Sequence, residues 1–307
     1  MPVIETIGLS KSYGRRSAVD TVSLTVESGE VYGLLGRNGA GKSTVIGMLL
    51  GLVRPTTGSV RLFDAEVSDA GSWRGQVGSL IEAPAFYPHL TGRRNLEVLA
   101  RFSGLDDGAV DEALDRVGLT EPGDVRYRKY SLGMKQRLGI AAAVLGRPPL
   151  VILDEPINGL DPQSVSDIRD LILDLRQEGS TVLLSSHILA EVEQVVDRVG
   201  ILAQGTLVAE GTLAEIAATR PTAVSVRLRV DDPTRAAEVL SVAPGVTGVE
   251  RQGDQQLVVQ LGEDHDGAVG TALAAAGVVV HEMLSERRSL EDVFLEFTSD
   301  ERAQADA

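Results

Sequence analysis

Between Val22 and Val26 apolar residues take every second position, a period of two that predicts a strand with one buried face. The run from Val31 to Leu35 is apolar at nearly every position, so it reads as a more deeply buried strand, ending at Gly36. From Lys42 to Leu52 the apolar spacing becomes helical, closed by Gly51 and Pro55. The first unit is therefore strand, glycine-rich loop, helix. Further on, Leu150 to Leu153 and Thr181 to Leu184 are short apolar strands flanking a helical segment from Pro162 to Arg176. A strand, a crossover helix and a strand in that order imply a parallel sheet. Between Thr91 and Leu145 the pattern is helical instead. Helices expected from Arg93 to Phe102, Gly108 to Val117 and Ser131 to Leu145 would form a lobe beside the sheet, over about residues 91–147.

Around Thr219 to Pro221 the pattern changes again. Val224 to Leu228 alternates, Thr234 to Leu240 is helical, Val246 to Val249 and Leu257 to Leu261 read as strands, Ala268 to Ala276 as a helix and Val278 to Met283 as a strand. That order is a βαββαβ module, followed by an amphipathic helix from Leu290 to Phe297 and a short polar tail after Ser299. The expected organisation is an α/β domain over 1–218, a small α+β domain over 222–299 and a flexible tail at 300–307.

Composition narrows the function. With 43% hydrophobic and 24% charged residues in 307, the chain has the balance of a folded, water-soluble protein of one large and one small domain. Apolar runs such as Val45 to Val53 and Ala272 to Val280 fall short of the ~20 residues that span a bilayer, so action at a membrane needs a partner there. Residues 1–16 carry no apolar core of the signal-peptide kind, which predicts a cytoplasmic location, and the absence of cysteine is compatible with it. A formal net charge of -15 argues against nucleic acid as a partner, because phosphate-backbone binding needs clustered Lys and Arg.

Two motifs supply chemistry. Gly36-Arg37-Asn38-Gly39-Ala40-Gly41-Lys42-Ser43-Thr44 has the spacing of a phosphate-binding P-loop. Glycines let successive N–H groups curl around an anion at the positive end of the following helix. Lys42 reaches the terminal phosphates, and Ser43 offers an oxygen to Mg²⁺. Val151-Ile152-Leu153-Asp154-Glu155 delivers two acids to the carboxyl end of a buried strand. There Asp154 can hold Mg²⁺ through water and Glu155 can polarise an attacking water. Together they indicate a nucleoside triphosphatase.

The remaining motifs resemble one family. Pro156-Ile157-Asn158-Gly159-Leu160-Asp161-Pro162 looks like the D-loop of ABC ATPases, Tyr130-Ser131-Leu132-Gly133-Met134-Lys135-Gln136-Arg137-Leu138 resembles their signature motif, and Ser185-Ser186-His187 resembles their switch histidine, all in the family's order over about the first 215 residues. The resemblance implies a P-loop NTPase domain with a helical subdomain, ATP and Mg²⁺ as ligands, and a homodimer in which each ATP lies between one copy's P-loop and the other's signature helix. It further implies that Glu155 activates water, that His187 contacts the γ-phosphate, that Ser131 and Gly133 face the partner's γ-phosphate, and that Asp161 lies across the dimer interface. Tyr13, in Lys11-Ser12-Tyr13-Gly14, matches the aromatic that stacks on adenine. Ser131 can equally be an N-cap, and both readings can hold.

Two departures stand out. Leu80-Ile81-Glu82-Ala83-Pro84 places Glu82 where the family has a Mg²⁺-sensing glutamine, and Leu132 and Met134 replace a usual glycine and glutamine. A carboxylate at 82 can still ligate Mg²⁺. This combination resembles ATPases that export bacitracin-like or lantibiotic-like peptides, and Ser289-Leu290-Glu291-Asp292-Val293-Phe294 resembles the close of drug-efflux ATPases. The expected protein is the ATPase subunit of an exporter, peripheral on the inner face of the membrane through a separate permease. An importer ATPase, a ribosome- or DNA-acting ABC protein and a P-loop kinase are the alternatives.

Overall fold

The computed structural model describes residues 1–68, 73–82, 84–218, 224–253, 256–262 and 266–286, in two compact units that divide between Leu213 and Ala214. The helix expected from Leu290 to Phe297 and the tail after Ser299 lie outside the described residues. Within the first unit an antiparallel sheet is built on a long strand, β1 (Pro2–Tyr13), which pairs with β2 (Arg16–Val22) and β3 (Thr25–Glu27). The alternation at Val22, Leu24 and Val26 is thus not one strand. The ladder is interrupted between β2 and β3, where the Thr6 hydroxyl accepts the Leu24 N–H and the Ser23 hydroxyl accepts the Gly8 N–H, so side chains replace backbone partners.

Next come β4 (Val31–Leu35), α1 (Lys42–Leu49), β5 (Thr57–Leu62), β6 (Ala65–Glu66) and β7 (Val77–Leu80). The helical lobe follows as α2 (Gly92–Phe102), α3 (Asp107–Arg116) and α4 (Leu132–Ala143). The chain then runs through β8 (Leu150–Leu153), α5 (Pro162–Gln177), β9 (Thr181–Ser186), the short α6 (Leu189–Val192), β10 (Arg198–Ala203) and β11 (Thr206–Gly211). Strands β5 and β6 complete the antiparallel sheet beside β1.

The second sheet has the order β11-β10-β4-β9-β8-β7, with β10, β4, β9, β8 and β7 parallel and β11 antiparallel at the edge. Every residue of β4, β8 and β9 is buried. Continuous burial is what a parallel strand covered on both faces requires, and each buried Val or Leu contributes roughly 1.5–3 kcal/mol. At the carboxyl ends stand Ser185 and Ser186 of β9 and, just past β8, Asp154 and Glu155. That edge is where ligands of open α/β sheets bind.

Each helix of the lobe starts at a side-chain cap. Thr91 accepts from the Arg94 N–H, Asp106 from Ala109 and Ser131 from Met134, each satisfying a first-turn donor. Asn95, buried on α2, bonds the Tyr87 backbone through both ends of its amide and so fixes the loop entering the lobe.

The second unit opens with α7 (Leu213–Ala218), which straddles the division, and continues as β12 (Val224–Val230), α8 (Pro233–Ser241), β13 (Val246–Gln252), β14 (Gln256–Leu261), α9 (Asp266–Ala275) and β15 (Val280–Glu286). The four strands form an antiparallel sheet in the order β13-β14-β12-β15. Val226, Leu228, Leu257 and Val259 from the sheet pack with Ala236, Leu240 and Leu273 from the two helices in one buried core. This is the α+β module expected from the alternation.

Candidate functional site

The P-loop spans the turn from β4 into α1, and two of its glycines have no substitute. A Cβ on Gly36 would stand 2.5 Å from the Leu202 carbonyl, and Gly41 has φ +108° with the Ala18 carbonyl 2.6 Å from its Cβ position. The loop is braced from outside, because Gly205 in the β10–β11 turn donates its N–H to the Ala40 carbonyl at 2.9 Å. Arg37 closes the loop by accepting from the Ala40 N–H at 3.0 Å. No side chain caps α1 and no acid stands in its first turn, which suits that end to an anion. Lys42 is buried and folds back, its Nζ donating to the Gly36 carbonyl at 2.6 Å.

Two acids meet this loop from β8. Asp154 is buried beside Leu80 of β7, to whose carbonyl its N–H donates at 2.8 Å, and its carboxylate accepts the Ser185 hydroxyl. The same Ser185 oxygen accepts the Glu155 N–H at 2.9 Å. Glu155 has φ +49°, a left-handed conformation that a glutamate adopts only when its surroundings hold it there. Its carboxylate is engaged at both oxygens: Oε1 lies 3.0 Å from Lys42 Nζ and Oε2 lies 2.8 Å from His187 Nδ1. An ionised carboxylate has no proton to donate, so Nδ1 carries the hydrogen of that bond.

Ser43 and Thr44 in the first turn of α1, Asn38 and Gly39 in the loop, and Tyr13 at the end of β1 share a cavity of about 730 Å³ with Lys42 and Glu155. Arg16, Ser17 and Gln204, which the sequence did not single out, also line it. Glu82 follows β7, whose Leu80 is paired with Leu153, so it stands one strand from Asp154; its φ is +56°. Ser43, Glu82 and Asp154 offer hydroxyl and carboxylate oxygens, the donor type Mg²⁺ takes, and a few protein oxygens suffice because water and phosphate complete its shell.

Ser131, Gly133 and Asp161 are not part of the cavity lining. They form a second locus where the N-termini of α4 and α5 meet. Ser131 caps α4, while Asp161 caps α5 by accepting both the N–H and the hydroxyl of Ser164, at 3.0 and 2.9 Å. Those bonds, the backbone one first, hold the Asp161 carboxyl below the usual aspartate range. A Cβ on Gly133 would stand 2.7 Å from Ser164 Oγ. Leu132 between them is exposed.

Glu191, on α6, belongs to the neighbourhood of His187 and Glu155. Burial pushes its carboxyl up, and the nearby charges of Arg169 and His187 oppose this. In the sequence Ser185 stood only as the first residue of the Ser185-Ser186-His187 match, with no role of its own.

A P-loop at the head of the first helix of a parallel sheet, two acids at the end of a strand of the same sheet and a capped helix in a lateral lobe define an ATP-hydrolysing cassette. The ABC transporter family model matches residues 19–158. The bacitracin transport ATP-binding protein BcrA of Enterococcus faecalis is 40% identical over 95% of this chain and 95% of its own length. The daunorubicin/doxorubicin resistance ATP-binding protein DrrA of Streptomyces peucetius is 36% identical over 99% of this chain and 96% of its own. A solved ATP-binding subunit of an ABC transporter superposes with a TM-score of 0.65 at 33% identity, covering 71% of this chain and 92% of that one. The chain belongs to the ATP-binding proteins of the ABC transporter family, and it is an ATPase.

Proposed function

We propose that this ATPase powers export of a peptide antibiotic, drug or other amphipathic compound through a separate permease, working as a homodimer on the inner face of the membrane. The observation that carries this reading is the extent of similarity. Relatives named for bacitracin transport and for daunorubicin/doxorubicin resistance align over 95% and 99% of the chain, beyond residues 19–158 and through the second unit. No helix among the described residues is long and apolar enough to cross a membrane, which supports a separate membrane subunit.

At the site, Lys42 and the P-loop N–H groups bind the phosphates of ATP, and Tyr13 stacks on adenine. Ser43, Asp154 and Glu82 would hold Mg²⁺, which would supply charge neutralisation at the phosphates. Phosphate binding draws Lys42 away from Glu155. The freed carboxylate then takes the proton of the attacking water, while His187 keeps its orientation and meets the γ-phosphate. Ser131 and Gly133 of the second copy close the pocket, with Asp161 at the same interface.

The test pairs chemistry with transport. Glu155→Gln should bind ATP with near-native affinity, turn over at least about a hundred-fold more slowly and accumulate as a closed dimer. A bacitracin-sensitive host expressing the chain with the permease encoded beside it should gain resistance, and the Glu155→Gln pair should not. Resistance that survives the substitution would overturn the assignment of the base.

A further inference from the structure

The inference concerns Lys11 and rests on Tyr13 being the adenine platform. Lys11 and Tyr13 are two residues apart on β1, so their side chains leave the same face of the strand. Lys11 Nζ lies over the Tyr13 ring, 5.0 Å from its centroid, and the same ammonium donates to the Arg54 carbonyl at 2.6 Å. Arg54 belongs to the segment that follows α1, the helix carrying Lys42 and Ser43. The strand end is stitched to that segment twice more: the Ser12 N–H donates to the Thr56 hydroxyl at 3.0 Å, and the Thr56 N–H donates to the Ser10 carbonyl at 2.8 Å.

Tyr13 is 53% exposed, so packing does little to hold its ring. A cation over one π-face attracts the ring's quadrupole and occupies that face. A purine must then use the opposite one. Because the cation is also bonded behind the P-loop helix, it sets the ring's place relative to the phosphate end of the same cavity. Ordering the ring in advance removes part of the entropy a nucleotide would otherwise lose on binding.

We infer that Lys11 is a positioning residue for the nucleotide: its ammonium caps one face of Tyr13, leaves the other as the stacking surface for adenine, and ties that surface to the segment behind the P-loop helix. The informative variants in the full-length protein are Lys11→Gln, which keeps a donor for the Arg54 carbonyl but no charge, and Lys11→Arg, which keeps both. Lys11→Gln should raise Kd and KM for ATP about three- to five-fold, with kcat within about two-fold and an unchanged Tm. Lys11→Arg should restore native values. In a Tyr13→Ala background Lys11→Gln should add nothing. Unchanged KM in Lys11→Gln, with a raised KM in Tyr13→Ala, overturns the role of Lys11 and leaves the Tyr13 reading standing. No effect of Tyr13→Ala removes both. An equal penalty from Lys11→Gln with and without Tyr13 also overturns the inference, since Lys11 would then act independently of the ring.

Discussion

Glu155 is engaged at both carboxylate oxygens, and its backbone sits in a conformation that costs a glutamate of order 1–3 kcal/mol. Ser185 opposes that cost by accepting the Glu155 N–H, and the same hydroxyl satisfies the buried Asp154 carboxylate. Removing it strands a buried acceptor and a donor together, a penalty of about 1–3 kcal/mol per group. Ser185→Ala should therefore lower kcat about ten-fold or more and lower Tm, with KM for ATP little changed because the P-loop is untouched. Steady-state ATPase kinetics and thermal unfolding check both. The contacts of Ser185 with these acids were not legible beforehand. Lys42, Asp154 and Glu155 announce themselves because each chemistry is local to a short motif, whereas Ser185 meets its partners across 31 and 30 residues of chain.

Two helix N-termini brought side by side explain the signature and D-loop motifs within one copy. Asp161 and Ser164 cap α5, and Ser164 occupies the space beside Gly133 on α4, so the two motifs are held as one surface. The Asp161 carboxyl is depressed below its usual value, chiefly by the Ser164 N–H and then by its hydroxyl. A depressed folded pKa means that its contribution to stability is complete above the unfolded value of about 3.9 and is lost as pH falls through the folded one. The stability gap between wild type and Asp161→Ala should hold from pH 7 to about pH 5 and narrow below about pH 4, as read by urea unfolding across that range. The helices of the lobe were legible to within a residue or two because caps and apolar spacing agree there. The antiparallel sheet was not. β1 pairs with three strands and its ladders shift register, so its burial lacks the clean period of two that a pattern detects.

Across the whole molecule, Ser131, Gly133 and Asp161 gather at the N-termini of α4 and α5, apart from the cavity that holds Lys42 and Glu155, and in the proposed dimer they serve the other copy's cavity. In the homodimer proposed above, two-fold symmetry would set the P-loop of one copy against the signature helix of the other. Lys42→Ala and Ser131→Ala should each abolish turnover alone. Mixed in equal amounts they should recover about a quarter of native ATPase activity, since half the dimers are mixed and each carries one intact pocket. No recovery, with dimers present by light scattering, would argue against sharing.

What the residues alone determined is the chemistry and its class: the P-loop, the paired acids and the order of four motifs are short-range patterns, each dictated by what a phosphate, a water or a helix end requires locally. The α/β and α+β layering followed from periodicity for the same reason. Tertiary structure decided which groups satisfy one another. That Glu155 rests on Lys42 and His187, that Ser185 serves both acids, that Lys11 is bonded to the Arg54 carbonyl and that Ser164 backs Gly133 are contacts made through sheet pairing and helix packing. Most link residues distant in the chain. Such contacts depend on the geometry of the assembled layers, which no local period encodes.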